Sequence, residues 1–222
     1  MHTSDHPARR STAAALVITA LFVLTQLYSA ISLIGPVSTD LGRNATFALS
    51  TSFSLCYALG FLIWGPIADH YGRRTCLLIG MTLLTVATLS CAVTTSLGAL
   101  AVARCIQGIT AASFSPIALA YLSDSTPPAW RGTAIGAMST AFLVAGIFGQ
   151  VTAQAITERW GWHWVFGASA LVLFICAGAI AVLMRDRTTR TPYSSLIDQF
   201  ARVGALLTTP TILLLCSAHI TL

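Results

Sequence analysis

Gly65-Pro66-Ile67-Ala68-Asp69-His70-Tyr71-Gly72-Arg73-Arg74 is the stretch on which the fold of this chain turns. Gly65-Pro66 predicts the end of a helix or a bend in one, and Gly72 supplies the backbone freedom that a tight turn needs. Two arginines follow at once, at the start of an apolar run that carries no charge before Arg104. Behind the turn another uncharged run reaches back from Asp69 to Arg43. Asp69 stands beside the arginines, able to accept charge-assisted hydrogen bonds or to face the partial positive charge of a helix N-terminus.

The rest of the chain repeats this alternation of long apolar runs and short charged breaks. Of 222 residues, 55% are hydrophobic and 9% charged, against roughly 25% charged in an average soluble domain. So few charges cannot cover a globule in water, which argues against a soluble enzyme, a disordered protein and a nucleic-acid binder. A helix needs about 20 apolar residues to cross a hydrocarbon core of roughly 30 Å. Windows of that kind lie at 11–39, 44–68, 75–94, 97–122, 132–157 and 160–184, with Pro127-Pro128 and Arg131 placing a loop between the fourth and fifth. A seventh run, 203–222, stops with the sequence. The first window is too long for a cleaved signal peptide.

Orientation follows from the arginines, which are the only basic residues apart from histidine. With the N-terminus inside, Arg9, Arg10, Arg73, Arg74, Arg131, Arg185, Arg187, Arg190 and Arg202 fall in inner segments, and only Arg43 and Arg159 fall outside. That bias places the N-terminus in the cytoplasm. Trp130, Trp160, Trp162 and Trp164 fall at span ends, where interfacial rings belong. The six cysteines are scattered through apolar runs without paired spacing and read as small buried hydrophobes. No nucleophile–base set, metal-ligand spacing or phosphate loop is present, so neither catalysis nor a cofactor, metal or nucleic-acid partner is expected.

The decapeptide 65–74 resembles the signature loop of the major facilitator superfamily, with His70 where that pattern has Arg or Lys. Arg104-Cys105-Ile106-Gln107-Gly108 is similar to the family's R-x-x-Q-G motif, and Asp124 to Gly132 to its loop between helices four and five. Leu33-Ile34-Gly35-Pro36 and Asp40-Leu41-Gly42 look like the end of its first helix. The resemblance implies the N-terminal half of a twelve-helix transporter: two inverted three-helix repeats, six complete transmembrane helices and the start of a seventh. Asp69-His70-Tyr71-Gly72 and Glu158-Arg159-Trp160-Gly161, at equivalent loops, share an acid–base–aromatic–glycine order, a weak echo that fits such repeats.

The same resemblance implies roles. Gly65, Asp69, Gly72, Arg73, Arg74 and Asp124 would form a conformational switch, with Arg73 paired to Asp124 and Asp69 reaching a helix N-terminus of the second half. Arg104, the one charge deep in a span, with Gln107 and Gly108, would serve coupling or substrate contact; charges at that depth face a cavity or pair with polar groups. Gln26, Tyr28, Ser32 and Tyr57 are candidates to line the substrate cavity. In span five the family's drug:proton antiporters carry a glycine- and proline-rich stretch. Here Gln150 replaces the proline and Gln154 the last glycine, while Ala145, Gly149 and Ala153 keep the small residues that let helices pack closely. No Asp or Glu lies within the six spans.

The expectation is therefore an all-α, multi-pass protein of a bacterial inner or plasma membrane. Residues 1–184 would form a six-helix bundle, 185–202 a cytoplasmic linker and 203–222 the cut-off start of a second bundle. It would move a small solute by alternating access, by proton-coupled efflux or, in the alternative, as an uptake carrier or uniporter. From another class, a truncated, non-transporting half-protein answers to the missing second half. A thiol placed in the turn at Gly72 is expected to react only from the cytoplasmic side, and the chain to leave membranes only with detergent. Recovery in the aqueous fraction, or labelling of that turn from outside, contradicts this topology.

Overall fold

Seven α-helices and one π-helical turn follow one another in the computed structural model, which describes residues 6–184, with side chains from residue 11 onward. They are α1 (His6–Asp40), the π turn (Phe47–Thr51), α2 (Ser52–Tyr71), α3 (Arg73–Ala92), α4 (Leu97–Ala111), α5 (Phe114–Ser125), α6 (Pro128–Trp160) and α7 (Trp162–Leu183). The π turn runs into α2 and α5 prolongs α4, so the described residues make six helical runs long and apolar enough to cross a membrane. The expected linker 185–202 and seventh run 203–222 lie outside the described residues.

The breaks between helices have local causes. Gly72 (φ 93°, ψ 139°) and Gly161 (φ 90°, ψ 162°) each join two helices through a single residue, in a conformation that a side chain would strain. Ser96 caps α4 by accepting from the Ala99 amide at 3.3 Å. Of the two outcomes expected at Gly65-Pro66, an end to the helix does not occur, since α2 continues to Tyr71; α1 runs on past Pro36 to Asp40. Pro128 opens α6 and does not prolong the loop, because a missing amide hydrogen costs nothing at a first helical position. Span four is interrupted at Ala112–Ser113, where Pro116 has no amide hydrogen to offer the Ala112 carbonyl.

Packing follows the inverted-repeat plan. α1 lies along α6, α2 along α4, and α3 along α7. Exchanging spans one to three with four to six turns the first pairing into the second and leaves the third unchanged. Equivalent glycines make the equivalent contacts. A Cβ on Gly60 would meet the Ile109 carbonyl at 2.8 Å, and one on Gly149 would meet the Thr25 carbonyl at 3.2 Å. Both lie 12 residues before the joint glycine of their repeat (72 − 60 and 161 − 149). The four-residue echo in the sequence thus extends to backbone conformation and helix contact.

The buried apolar residues form two clusters, one per end of the bundle. Leu16, Leu77, Met81, Phe114, Leu122 and Met138 pack near the Gly72 joint. Leu33, Leu49, Leu100, Trp162 and Phe166 pack at the opposite end. Outside, long ridges of Leu, Ile and Val are exposed, among them Leu143, Ile147 and Val182, as expected where lipid is the solvent.

Helix approach at Gly108 is tighter still: a Cβ there would lie 2.4 Å from the Phe53 carbonyl, whereas Gly98 on the same helix has nothing within 4 Å. Gly108→Ala is expected to destabilise the detergent-solubilised protein by about 1–3 kcal/mol, and Gly98→Ala to change it by less than about 0.5 kcal/mol. Thermal unfolding followed by tryptophan fluorescence checks both.

Candidate functional site

Two constellations of polar side chains stand out, one at the Gly72 end and one across the middle of the bundle. At the first, Gly72 ends α2 and starts α3 without an intervening loop, so Asp69 falls on the last turn of one helix and Arg73 and Arg74 on the first turn of the next. The arginines do not turn back to Asp69. Arg73 Nη1 forms an ion pair with the Asp124 carboxylate and donates to the Ala120 carbonyl at 2.9 Å, tying α3 to the end of α5. Arg74 donates through Nε to the Met184 carbonyl at 2.7 Å and through Nη2 to the Ala181 carbonyl at 2.9 Å. It thereby satisfies carbonyls that the end of α7 leaves open. Asp69 is exposed and has no hydrogen bond or ion pair among the described residues. Gly65 is half-buried inside α2 with open space around it.

The second constellation is a polar layer between the two apolar clusters. Arg104 is fully buried, at 0% exposure. Its Nε donates to the Leu49 carbonyl at 2.8 Å, and its Nη1 to the Gln26 carbonyl at 3.0 Å and to Gln107 Oε1 at 2.6 Å. Its guanidinium carbon stands 4.3 Å from the Phe53 ring centroid, a cation–π contact that strengthens away from water. Gln107 Nε2 in turn donates to Gln26 Oε1 at 3.2 Å and to Thr88 Oγ1 at 2.8 Å. The layer thus joins α1, the π turn, α3 and α4 through one side chain and its neighbour. Leu49 lies inside the π turn, and π-helical turns are frequent at functional sites. Arg104 Nη2 has no hydrogen-bond partner among the described residues.

The remaining sequence candidates divide. Gln26, expected on the cavity wall, is buried in the polar layer. Ser32 donates to the Gln150 carbonyl of α6 at 3.1 Å. Tyr57 stacks on Phe53, meets Phe61 edge-on and places its hydroxyl 3.4 Å from Ser115 Oγ. Tyr28 is half-buried beside Gly146. Ala145, Gly149 and Ala153 form a buried stripe on α6, with Gly149 against α1 at Thr25 and Ser29. Gln150 and Gln154 bond within α6, to the Gly146 carbonyl and to Glu158.

Arg104 lies seven residues into α4, on a level with its partner Leu49 and in the half of span four that is away from the Gly72 joint. Trp162, the first residue of α7, is buried, and its Nε1 donates to Asp40 Oδ2 at 2.9 Å, while Trp160 and Trp164 are exposed. Thr88, Phe53, the Leu49 carbonyl and Phe166, whose ring centroid lies 5.8 Å from the Arg104 guanidinium carbon, escape sequence reasoning. Thr88 alone carries a signal, as a hydroxyl in mid-span; nothing marks a carbonyl or a phenyl ring as an arginine's partner before the helices are packed.

The model of the Major Facilitator Superfamily matches residues 15–222. Multidrug resistance protein 3 of Bacillus subtilis is 31% identical over 133 residues, 60% of this chain and 26% of that protein. Multidrug resistance protein Stp of Mycobacterium tuberculosis is 31% identical over 170 residues, 74% of this chain and 32% of that protein. The chain therefore spans about a third or less of the length of these relatives. A bacterial homolog of the human lysosomal transporter Spinster, in an inward-facing and unoccupied conformation, matches with a TM-score of 0.71 at 20% identity, over 90% of this chain and 50% of that one. At that identity the likeness bears on the fold alone. With its six membrane-length helices and a family match over nearly its whole length, the chain belongs to the major facilitator superfamily of transporters, as a multi-pass integral membrane protein.

Proposed function

We propose that the six spans act as the first half of a secondary active transporter that exports small, lipophilic solutes by alternating access, in exchange for protons. The observation that carries this reading is the division of labour at the Gly72 end. Arg73 and Arg74 are engaged within the bundle, while the neighbouring Asp69 carboxylate has no partner among the described residues. An acid held in place by a rigid joint and left free can dock on a second six-helix body in one state and release it in the other. Such a contact biases a two-state equilibrium without touching the solute. Similarity to the two multidrug resistance proteins supports export and lipophilic cargo. The described acids Asp40, Asp69, Asp124 and Glu158 all lie at span ends, so a titrating carboxylate at membrane depth would come from the second half.

In this reading the polar layer is a fixed hub. Arg104 and Gln107 hold α1, α3 and α4 in register, and Tyr28, Ser32 and Tyr57, each half-buried, are the candidates of the set with surface left for a solute.

In proteoliposomes carrying the complete transporter, Asp69→Asn is expected to lower export of a fluorescent solute panel about tenfold, with membrane insertion unchanged and Asp69→Glu largely active. Wild-type export by Asp69→Asn overturns the switch. Asp124→Asn is expected to slow export while changing thermal stability by less than about 1 kcal/mol, since a half-exposed ion pair contributes little to stability. Arg104→Leu strands the Leu49, Gln26 and Gln107 oxygens in an apolar interior. A loss of about 2–4 kcal/mol is expected, read by thermal unfolding in detergent.

A further inference from the structure

Arg73 and Arg74 stand at the unfavourable end of their own helix. They are the first two residues of α3, whose first turn carries no acid, and the partial positive charge of a helix N-terminus disfavours a cation there. The ends of α5 and α7 present the complementary case. Neither carries a basic residue in its last turn, although the partial negative charge of a C-terminus favours one. Arg73 serves the end of α5, through Asp124 and the Ala120 carbonyl. Arg74 serves the end of α7, through Nε on the Met184 carbonyl at 2.7 Å and Nη2 on the Ala181 carbonyl at 2.9 Å. From α1, the Thr12 hydroxyl donates to the Leu183 carbonyl at 2.9 Å. Side chains of two other helices therefore hold the carbonyls that close α7.

The two arginines differ in what they can release. Arg73 is paired with a partly exposed carboxylate, which can exchange it for water or another partner at little cost. Arg74 is bound to backbone carbonyls, which cannot titrate and cannot turn away unless the helix that bears them unwinds. We propose that Arg74, with Thr12, is the fixed anchor of α7: a positioning residue that keeps the last turn of span six seated on the bundle while the Arg73–Asp124 pair opens and closes. Met184 is the point from which the chain continues. A seated last turn passes the movement of a second body to the whole of the first, whereas a frayed one absorbs that movement by unwinding. This use in transport rests on the alternating-access reading above; the seating of the turn does not.

The test uses the complete transporter in lipid nanodiscs and proteoliposomes, with Arg74→Gln, Arg74→Lys and Arg131→Gln. The last of these removes an exposed charge from the first turn of α6, as a control. Hydrogen exchange is read by peptide mass spectrometry at the end of α7, where the Met184 amide donates to the Ile180 carbonyl at 2.9 Å. Arg74→Gln is expected to speed exchange in that turn about tenfold and to leave α3 and α5 protected as before. Its export is expected to fall about fivefold in maximal rate at unchanged KM, because solute binding is not touched. Arg74→Lys, a point donor in place of a fork, is expected to fall between on both readouts, and Arg131→Gln to match the wild type. Wild-type exchange at the end of α7 in Arg74→Gln overturns the anchor. Faster exchange with undiminished export, or a rise in KM alone, overturns its use in transport. If the unsubstituted protein exports nothing, the transport reading fails by itself and the exchange measurement still decides the anchor. Should Arg74→Gln not fold, Arg74→Lys decides by the same two readouts.

Discussion

A guanidinium with no surface exposed to solvent occupies the layer where the two apolar clusters of the bundle meet. A charge in that position is tolerable only if its surroundings are arranged around it, because an unpaired ion in an apolar interior is costly. Arg104 is held by carbonyl dipoles, one amide oxygen and the face of Phe53, with no carboxylate and no hydrogen-bond partner for Nη2 among the described residues. Each of those partners belongs to a different part of the bundle. The positions of α1, the π turn and α4 relative to one another are therefore set by the needs of a single side chain, and Gln107 extends the same demand to α3 through Thr88.

Around that layer the bundle is organised by a repeated backbone device. Gly72 and Gly161 adopt nearly the same positive-φ conformation, and Gly60 and Gly149, one fixed interval earlier, bring their helices against the partner repeat. The two halves of the chain thus solve one packing problem twice, with different side chains elsewhere. The polar layer does not share this symmetry. Arg104 and Gln107 belong to the second repeat, and they draw Gln26, Leu49 and Thr88 from the first. A scaffold of repeated joints and contacts carries an asymmetric polar core.

The spans are legible in the sequence because charge and hydrophobicity alternate on the length scale of a bilayer, and the family because residues 65–74 and 104–108 carry contiguous motifs. Helix ends at proline are not legible in the same way, for a physical reason. Proline breaks a helix only where a carbonyl four residues earlier needs its missing hydrogen, and Pro128, at a helix start, faces no such demand. Position at a span end marks Trp162 as an anchor, but not that its indole hydrogen is taken by Asp40, more than a hundred residues away. Polarity in mid-span points Gln26 to the cavity, yet its amide is committed to Gln107. In each of these two cases the deciding partner lies on another helix. Periodicity along one chain segment says which residues are polar at depth, but not which of them will be used up by one another.

The single-residue joints at Gly72 and Gly161 leave the helices they connect no slack. A hairpin with a long loop lets one arm slide past the other, but α2 with α3, and α6 with α7, are spliced almost end to end. In the proposed transport cycle, rearrangement of this body would therefore occur as a swing of the whole, the elbows acting as corners of a stiff frame. A charge mounted on such a corner, as Asp69 is, would report the tilt of the entire frame to whatever it touches.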